Sequence, residues 1–361
     1  MALKPIDEAH ALQIQAGTLG RRKGHDFENA LTKQINEFVC PYSVPEAAAN
    51  CHIFVGVPSR YLIDYVCQRE GLSKLVKVSA LSTGALATDE GGKHLLSHEG
   101  IDIRRCKSDL LLILHLEKGA ALTVGVSIKQ CDTKSPTNAQ LFCSTASAFA
   151  KMLRDNGIPV SDATEVALKQ FCGEVGHTPA DNEATATGRT IDPRRFFWEE
   201  LPDTVRIELA DVLKNQHNTI FRLLLEKAYS EDTFPPKYVV HKTKRASSDG
   251  RTEVAIYSFD ELIALSALYR GFETREYRVR KGSYRDPEGV THLAPRFGIV
   301  QMQRLGNKQN ATQLQFNLEA GYFYSLAKHL EQMATNSGGK QGRHCVADAR
   351  SDGTEVSTEP E

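Results

Sequence analysis

The chain has 361 residues, 41% of them hydrophobic, and its 44 basic and 45 acidic side chains leave a formal charge of -1. That balance excludes a protein that coats polyanions with its whole surface, although a local basic cleft stays possible. Eight cysteines without a C-x-x-C pair exclude a zinc ribbon and a disulfide framework, and the absence of an apolar run of ~18 residues or of a signal-peptide core in "MALKPIDEAH" leads us to expect a soluble cytoplasmic protein.

In chain order, "RRKGHDFENALTKQINEFV" reads as a helix, because Phe27, Leu31, Ile35 and Phe38 recur at spacings of four and three between Gly24 and Pro41. A second helix is expected across "SRYLIDYVCQREGL", and the Ser-, Thr- and Gly-rich stretch 76–100 reads as irregular chain or short strands. A hairpin follows in "KSDLLLILHLEKGAALTVGVSIKQ", Lys107 to Gln130. The periodicity of "PTNAQLFCSTASAFAKMLRDNG" predicts a helix ending at Gly157. Residues 174–193 are polar and read as a loop or linker. "FFWEELPDTVRIELADVLKNQHNTIFRLLLEKAYS" is helical again, with Pro202 near a helix start. The stretch 238–284 mixes strands, a helix and many basic residues. "RFGIVQMQRLG" alternates as one strand, "TQLQFNLEAGYFYSLAKHLEQ" predicts a strand and then a helix, and the polar tail from 334 onward is expected to be disordered. No internal repeat is visible. The class implied is α/β, a mixed sheet flanked by helices.

The hairpin carries the chemistry. A three-residue turn centred on Lys118 makes partner numbers sum to 236, so Asp109 stands opposite Ser127. Side chains alternate with period two, so Ser127 and Lys129 share a face, and opposed Cβ atoms lie ~5 Å apart. A carboxylate, a hydroxyl and an ammonium thus meet at the open end. A carboxylate beside a lysine suits a hard cation such as Mg²⁺ held through oxygens, together with in-line phosphodiester hydrolysis. Solvated polar residues at a hairpin end are the other reading of the same spacing.

Asp109, seventeen residues and Ser-Ile-Lys resemble the D…(D/E)-x-K signature of the PD-(D/E)XK nuclease superfamily. The likeness is greatest to type II restriction endonucleases whose middle acid is replaced by Ser, Asn or Gln. "GVSIKQ" leading through "SPTNAQLF" into a small-residue helix is similar to several of those enzymes, and the resemblance covers roughly residues 20 to 155. Two positions depart from the pattern: Ser108 stands where the family has Pro, and Ser127 where it has a second carboxylate. The resemblance implies a restriction-endonuclease-like core with an added DNA-recognition lobe. It implies Asp109 and the Ile128 carbonyl as Mg²⁺ ligands, with Glu28 of "GHDFENAL" as a second carboxylate. It further implies Lys129 for water activation and charge stabilisation, and Ser127 for holding a metal-shell water. Asp102 competes with Asp109, but the hairpin register favours Asp109. The division expected is a core over 1–173, a linker over 174–193, a recognition region over 194–333 and a tail over 334–361.

Base reading needs amides for adenine and Arg for guanine. Ser135, Thr137, Asn138 and Gln140 follow the site strand directly. A second stretch supplies Arg296, Gln301, Gln303, Arg304 and Lys308, with Gln301 and Gln303 on one face and Arg304 on the other. Arg278, Arg280 and Lys281, interleaved with Tyr277 and Tyr284, suit a phosphate-tracking surface. Other signals are weaker. "GALATDEGGKH" fails the phosphate-loop pattern at His94. His94 and His98 lack a helix and a third ligand, and Cys143 and Cys172 read as buried small side chains. The expected function is a Mg²⁺-dependent type II restriction endonuclease acting on double-stranded DNA as a homodimer on a palindromic site. A repair or junction nuclease of the same superfamily, or a non-catalytic DNA-binding protein with a decayed core, are the alternatives.

Overall fold

The structure, a computed structural model, describes residues 26–45, 52–83, 96–103, 106–131, 138–227, 232–246, 252–269, 271–280, 284–304 and 312–319. Helix α1 spans 26–36 and buries Phe27, Leu31 and Ile35, as the spacing predicts. The chain continues through β1 (Tyr42–Ser43), β2 (Ile53–Val55), α2 (Pro58–Arg69), β3 (Lys74–Leu75), β4 (Lys77–Ser82), β5 (Leu96–His98) and β6 (Ile101–Ile103). The hairpin strands are β7 (Leu110–His115) and β8 (Leu122–Cys131), followed by β9 (Ala139–Ser144), α3 (Ala146–Asp155), α4 (Asp162–Cys172), α5 (Glu183–Ala186), α6 (Asp203–Asn215) and α7 (His217–Glu226). The last described part holds β10 (Pro236–Ala246), β11 (Thr252–Ser258), α8 (Phe259–Ser266), β12 (Phe272–Tyr277), β13 (His292–Phe297), β14 (Val300–Arg304) and β15 (Leu314–Leu318).

Two sheets organise these elements. The central one has six strands in the order β2-β11-β10-β8-β7-β4, antiparallel except for the parallel pair β8 and β10. The second has five antiparallel strands, β12-β13-β14-β15-β9. Both sheets draw strands from either side of 174–193. A mixed sheet flanked by helices is therefore what the chain forms, as expected from its pattern.

The alternation of β8 explains the layering. Val124, Val126 and Ile128 point to one side, where they pack with Leu110, Leu112 and Leu114 of β7 and with Phe27, Leu31, Leu62 and Val66 of α1 and α2. The other side looks toward a larger core built from α3, α4, α6, α7, α8 and the buried face of the second sheet. Ser127 and Lys129 belong to that second side.

Two expectations are corrected. Residues 136–157 are not one helix: 139–144 pair with β15, and the helix starts only after Thr145, whose hydroxyl accepts from the Ala148 N–H at 3.2 Å. The small-residue periodicity was shared by a strand and a helix, and a partner more than 170 residues away selects the strand. "RFGIVQMQRLG" is likewise a hairpin rather than one strand. Gly298 takes φ 55°, a left-handed value that suits glycine, and folds β14 back on β13. The helix expected after β15 and the polar tail lie outside the described residues.

Candidate active site

The register that the count predicts is the register observed. Leu110 pairs with Val126 and Leu111 with Gly125, but pairing stops at Leu114 with Leu122, so the connection, which holds Gly119 at φ 97°, is longer than the three-residue turn expected. Continuing that register by one residue sets Asp109 across from Ser127. The Asp109 N–H donates to the Val126 carbonyl at 2.9 Å, fixing the start of the strand.

One oxygen of Asp109 gathers three donors. Oδ2 accepts from Ser127 Oγ at 3.2 Å, from the Ile128 N–H at 2.6 Å and from Lys129 Nζ at 3.2 Å. Among the described residues the other oxygen, Oδ1, has no hydrogen-bond or ion-pair partner, and the side chain is about one-fifth exposed. The Val126 carbonyl faces β7. Two residues on, the Ile128 N–H faces the same way, and in an extended strand a residue's N–H and C=O leave on the same side. The Ile128 carbonyl therefore leaves β8 on the Asp109 side.

The site's floor depends on two small residues. A Cβ on Gly125 would stand 2.2 Å from Ser108 Oγ and 2.6 Å from the Pro235 carbonyl, so only glycine admits this approach. The Ser108 hydroxyl, where the resembled family has Pro, donates to the Phe234 carbonyl at 2.7 Å and ties β7 to the entry of β10.

Two titratable neighbours escape a reading of the sequence. His241 pairs with Lys129 across the parallel β8–β10 ladder and is 1% exposed. Burial first, and the Lys129 charge second, push its imidazole down to about 4, so it stands neutral beside the ammonium. Lys107 donates to the Leu224 and Lys227 carbonyls at the end of α7. Burial and the neighbouring Lys129 push it down to about 7, against the opposing pull of Asp109 and Asp232. Lys107 sits two residues before Asp109 and could have drawn notice. His241 could not, because its pairing joins segments more than a hundred residues apart.

Glu28 is 8% exposed and lies on α1, which packs against the face of the sheet opposite to Ser127 and Lys129. Lys242, the neighbour of His241, places its ammonium 4.4 Å from the centre of the Phe27 ring, so the start of α1 lies near the β10 edge of the site strand. Among the described residues no group of three or more His, Cys, Asp or Glu side chains forms a metal cage. The donor set that does exist is the unpaired Oδ1 of Asp109, the Ser127 hydroxyl and the Ile128 carbonyl. All are hard oxygens, which fits an ion that keeps several waters.

The expected DNA-reading residues divide into three groups. Asn138, Gln140, Gln301 and Gln303 come together on the second sheet: Asn138 Nδ2 donates to Gln301 Oε1 at 2.9 Å, and Gln303 reaches Gln140 through Gln315. Arg296 is held by Glu273 and Glu319, and Arg304 lies 3.7 Å from the buried Asp192 carboxylate, with burial pushing its guanidinium down to about 10. Arg278 donates to the Pro287 carbonyl at 2.9 Å, and Arg280 is exposed. Ser135, Thr137, Lys281 and Lys308 lie outside the described residues, as does His94. His98 sits in β5 with its ring 2.8 Å from the Thr123 hydroxyl, Asp102 lies in β6, and burial raises the Cys172 thiol.

No protein-family model and no curated protein sequence matches this chain. Among solved structures it is similar to the restriction endonuclease MspI in complex with its cognate DNA, at a TM-score of 0.45 and 13% identity over 84% of this chain and 92% of that one. So slight a likeness supports no inference about activity, which rests on the site itself.

Proposed function

We propose that this chain is a Mg²⁺-dependent type II restriction endonuclease that hydrolyses double-stranded DNA at a short specific sequence. The observation that carries the reading is the convergence of Ser127, Ile128 and Lys129 on one oxygen of Asp109 while the other oxygen stays available. Asp109 Oδ1 and the Ile128 carbonyl would hold the ion; Glu28, the further carboxylate that the resemblance implies, lies on α1, which packs on the sheet face opposite Ser127 and Lys129. Bound Mg²⁺ supplies Lewis-acid stabilisation of the attacking and leaving oxygens. The Ser127 hydroxyl orients a water beside Asp109. Lys129 places positive charge where the phosphate gains negative charge. The neutral His241, paired with Lys129 on β10, adds no charge of its own beside that ammonium. A homodimer on a palindromic site follows from matching two-fold symmetries.

The test is a digest of DNA of known sequence with Mg²⁺ and with EDTA. Discrete fragments in the Mg²⁺ lane alone are expected. Lys129→Ala should lower cleavage by about a thousandfold with DNA binding retained; full activity in that variant would remove Lys129 from the mechanism. Ser127, standing where the resembled family has an acid, favours one second reading, a DNA-binding protein whose nuclease core has decayed. That reading expects intact DNA in both lanes and a retained mobility shift.

A further inference from the structure

The second sheet has two unlike faces. Val300, Met302, Leu314, Phe316 and Leu318 are fully or almost fully buried in the larger core. The alternate residues of the same strands are amides. Gln303 pairs with Gln315 and Gln301 with Asn317 across β14–β15, while Gln140 of β9 stands across from Asn317. Their side chains form a ladder: Gln303 Nε2 donates to Gln315 Oε1 at 3.0 Å, and Gln315 Nε2 donates to Gln140 Oε1 at 2.9 Å.

Amides so linked keep their orientation and still have hydrogen-bonding capacity. Gln303 spends one N–H, leaving its oxygen and a second N–H. Gln140 spends its oxygen and keeps both N–H groups. Gln315 is consumed on both sides. Asn317, in the same face, is 3% exposed. The sheet also stands beside the site. β9 leaves β8 after a connection of a few residues, and Phe142 of β9 lies 5.5 Å from Lys107 Nζ, two residues from Asp109. The nearby guanidiniums of Arg296 and Arg304 already face carboxylates.

We propose that this amide row reads base edges of the DNA target, with Gln315 as the positioning residue that fixes the amides of Gln303 and Gln140. The base edge that matches an adjacent donor and acceptor is adenine, at N7 and N6 in the major groove. The proposal rests on the reading of the chain as a sequence-specific endonuclease and adds which surface selects the sequence and what it selects.

The experiment uses the full chain carrying Lys129→Ala, so that bound duplex is not cut. It is equilibrated with a randomised duplex library and Mg²⁺, and the retained fraction is sequenced. A motif containing an A·T pair is expected. Adding Gln315→Leu should relax that position by about tenfold or more while binding to random DNA stays unchanged. Gln315→Glu keeps the acceptor for Gln303 and loses the donor to Gln140, so it should relax one position only, and it keeps the test alive if the leucine variant fails to fold. An unchanged motif in both variants overturns the role of Gln315, and a motif of G·C pairs alone overturns adenine reading. Discrete cleavage by the unaltered chain together with either result leaves the endonuclease reading standing. The absence of any motif in the parent, with a smeared digest, removes both.

Discussion

The site brings two lysines and a histidine around a single carboxylate, and their charge states differ by environment. Lys129 is a quarter exposed and paired with Asp109, whereas His241 on the neighbouring strand is buried and neutral. Because its folded value of about 4 lies below the unfolded ~6.5, the unfolded chain binds a proton that the folded chain refuses between those limits. The stability that His241 contributes is complete above pH ~6.5 and declines as pH falls toward 4. Over that window the wild type should lose about 3 kcal/mol more than His241→Asn, read as the pH dependence of denaturant midpoints; equal losses would place His241 in a wetter setting than described. Buried His52 is also pushed down and contributes its own acid sensitivity to both proteins. At this scale the sequence exposed Asp109, Ser127 and Lys129 because a local turn fixes their register. It concealed His241, which enters through a non-local parallel pair, and Gln315, whose role depends on which strands become its neighbours.

At the scale of elements, the hairpin is held by what it excludes. Gly125→Ala pushes a methyl group into Ser108 Oγ and the Pro235 carbonyl, backbone that cannot yield cheaply. The expected cost is about 3 kcal/mol or more, in the range of overpacking, with the proposed cleavage falling alongside stability because Ser108 directly precedes Asp109. A folded variant of unchanged melting temperature would contradict that packing. The same scale shows where periodicity stops being informative. The amphipathic helices α1 and α2 were plain because their apolar stripes recur over several turns. "AQLFCS" is too short for period to decide, and its partner strand β15 decides it. Gly298 marked a turn that alternation alone had run through.

Across the whole molecule, the central sheet joins β7 and β8 to β10 and β11, and the second sheet joins β9 to β12 through β15. Fragments 1–173 and 194–361 expressed apart should therefore each expose a bare sheet edge, give poorly dispersed spectra and recover order only on mixing; independent, cooperative unfolding of either fragment would show a division that the strand pairing does not respect. The parallel junction of β8 and β10 has a further consequence in time. Roughly a hundred residues separate the two strands, so their pairing must wait for a long chain closure, while the β7–β8 hairpin closes over only the seven residues between the paired Leu114 and Leu122. On refolding, Asp109 and Lys129 are therefore expected to meet early, at a strand whose far edge is still open. Far-UV ellipticity should return well before the proposed cleavage activity, and the interval between the two signals measures how long the half-built sheet remains exposed to pairing with another chain.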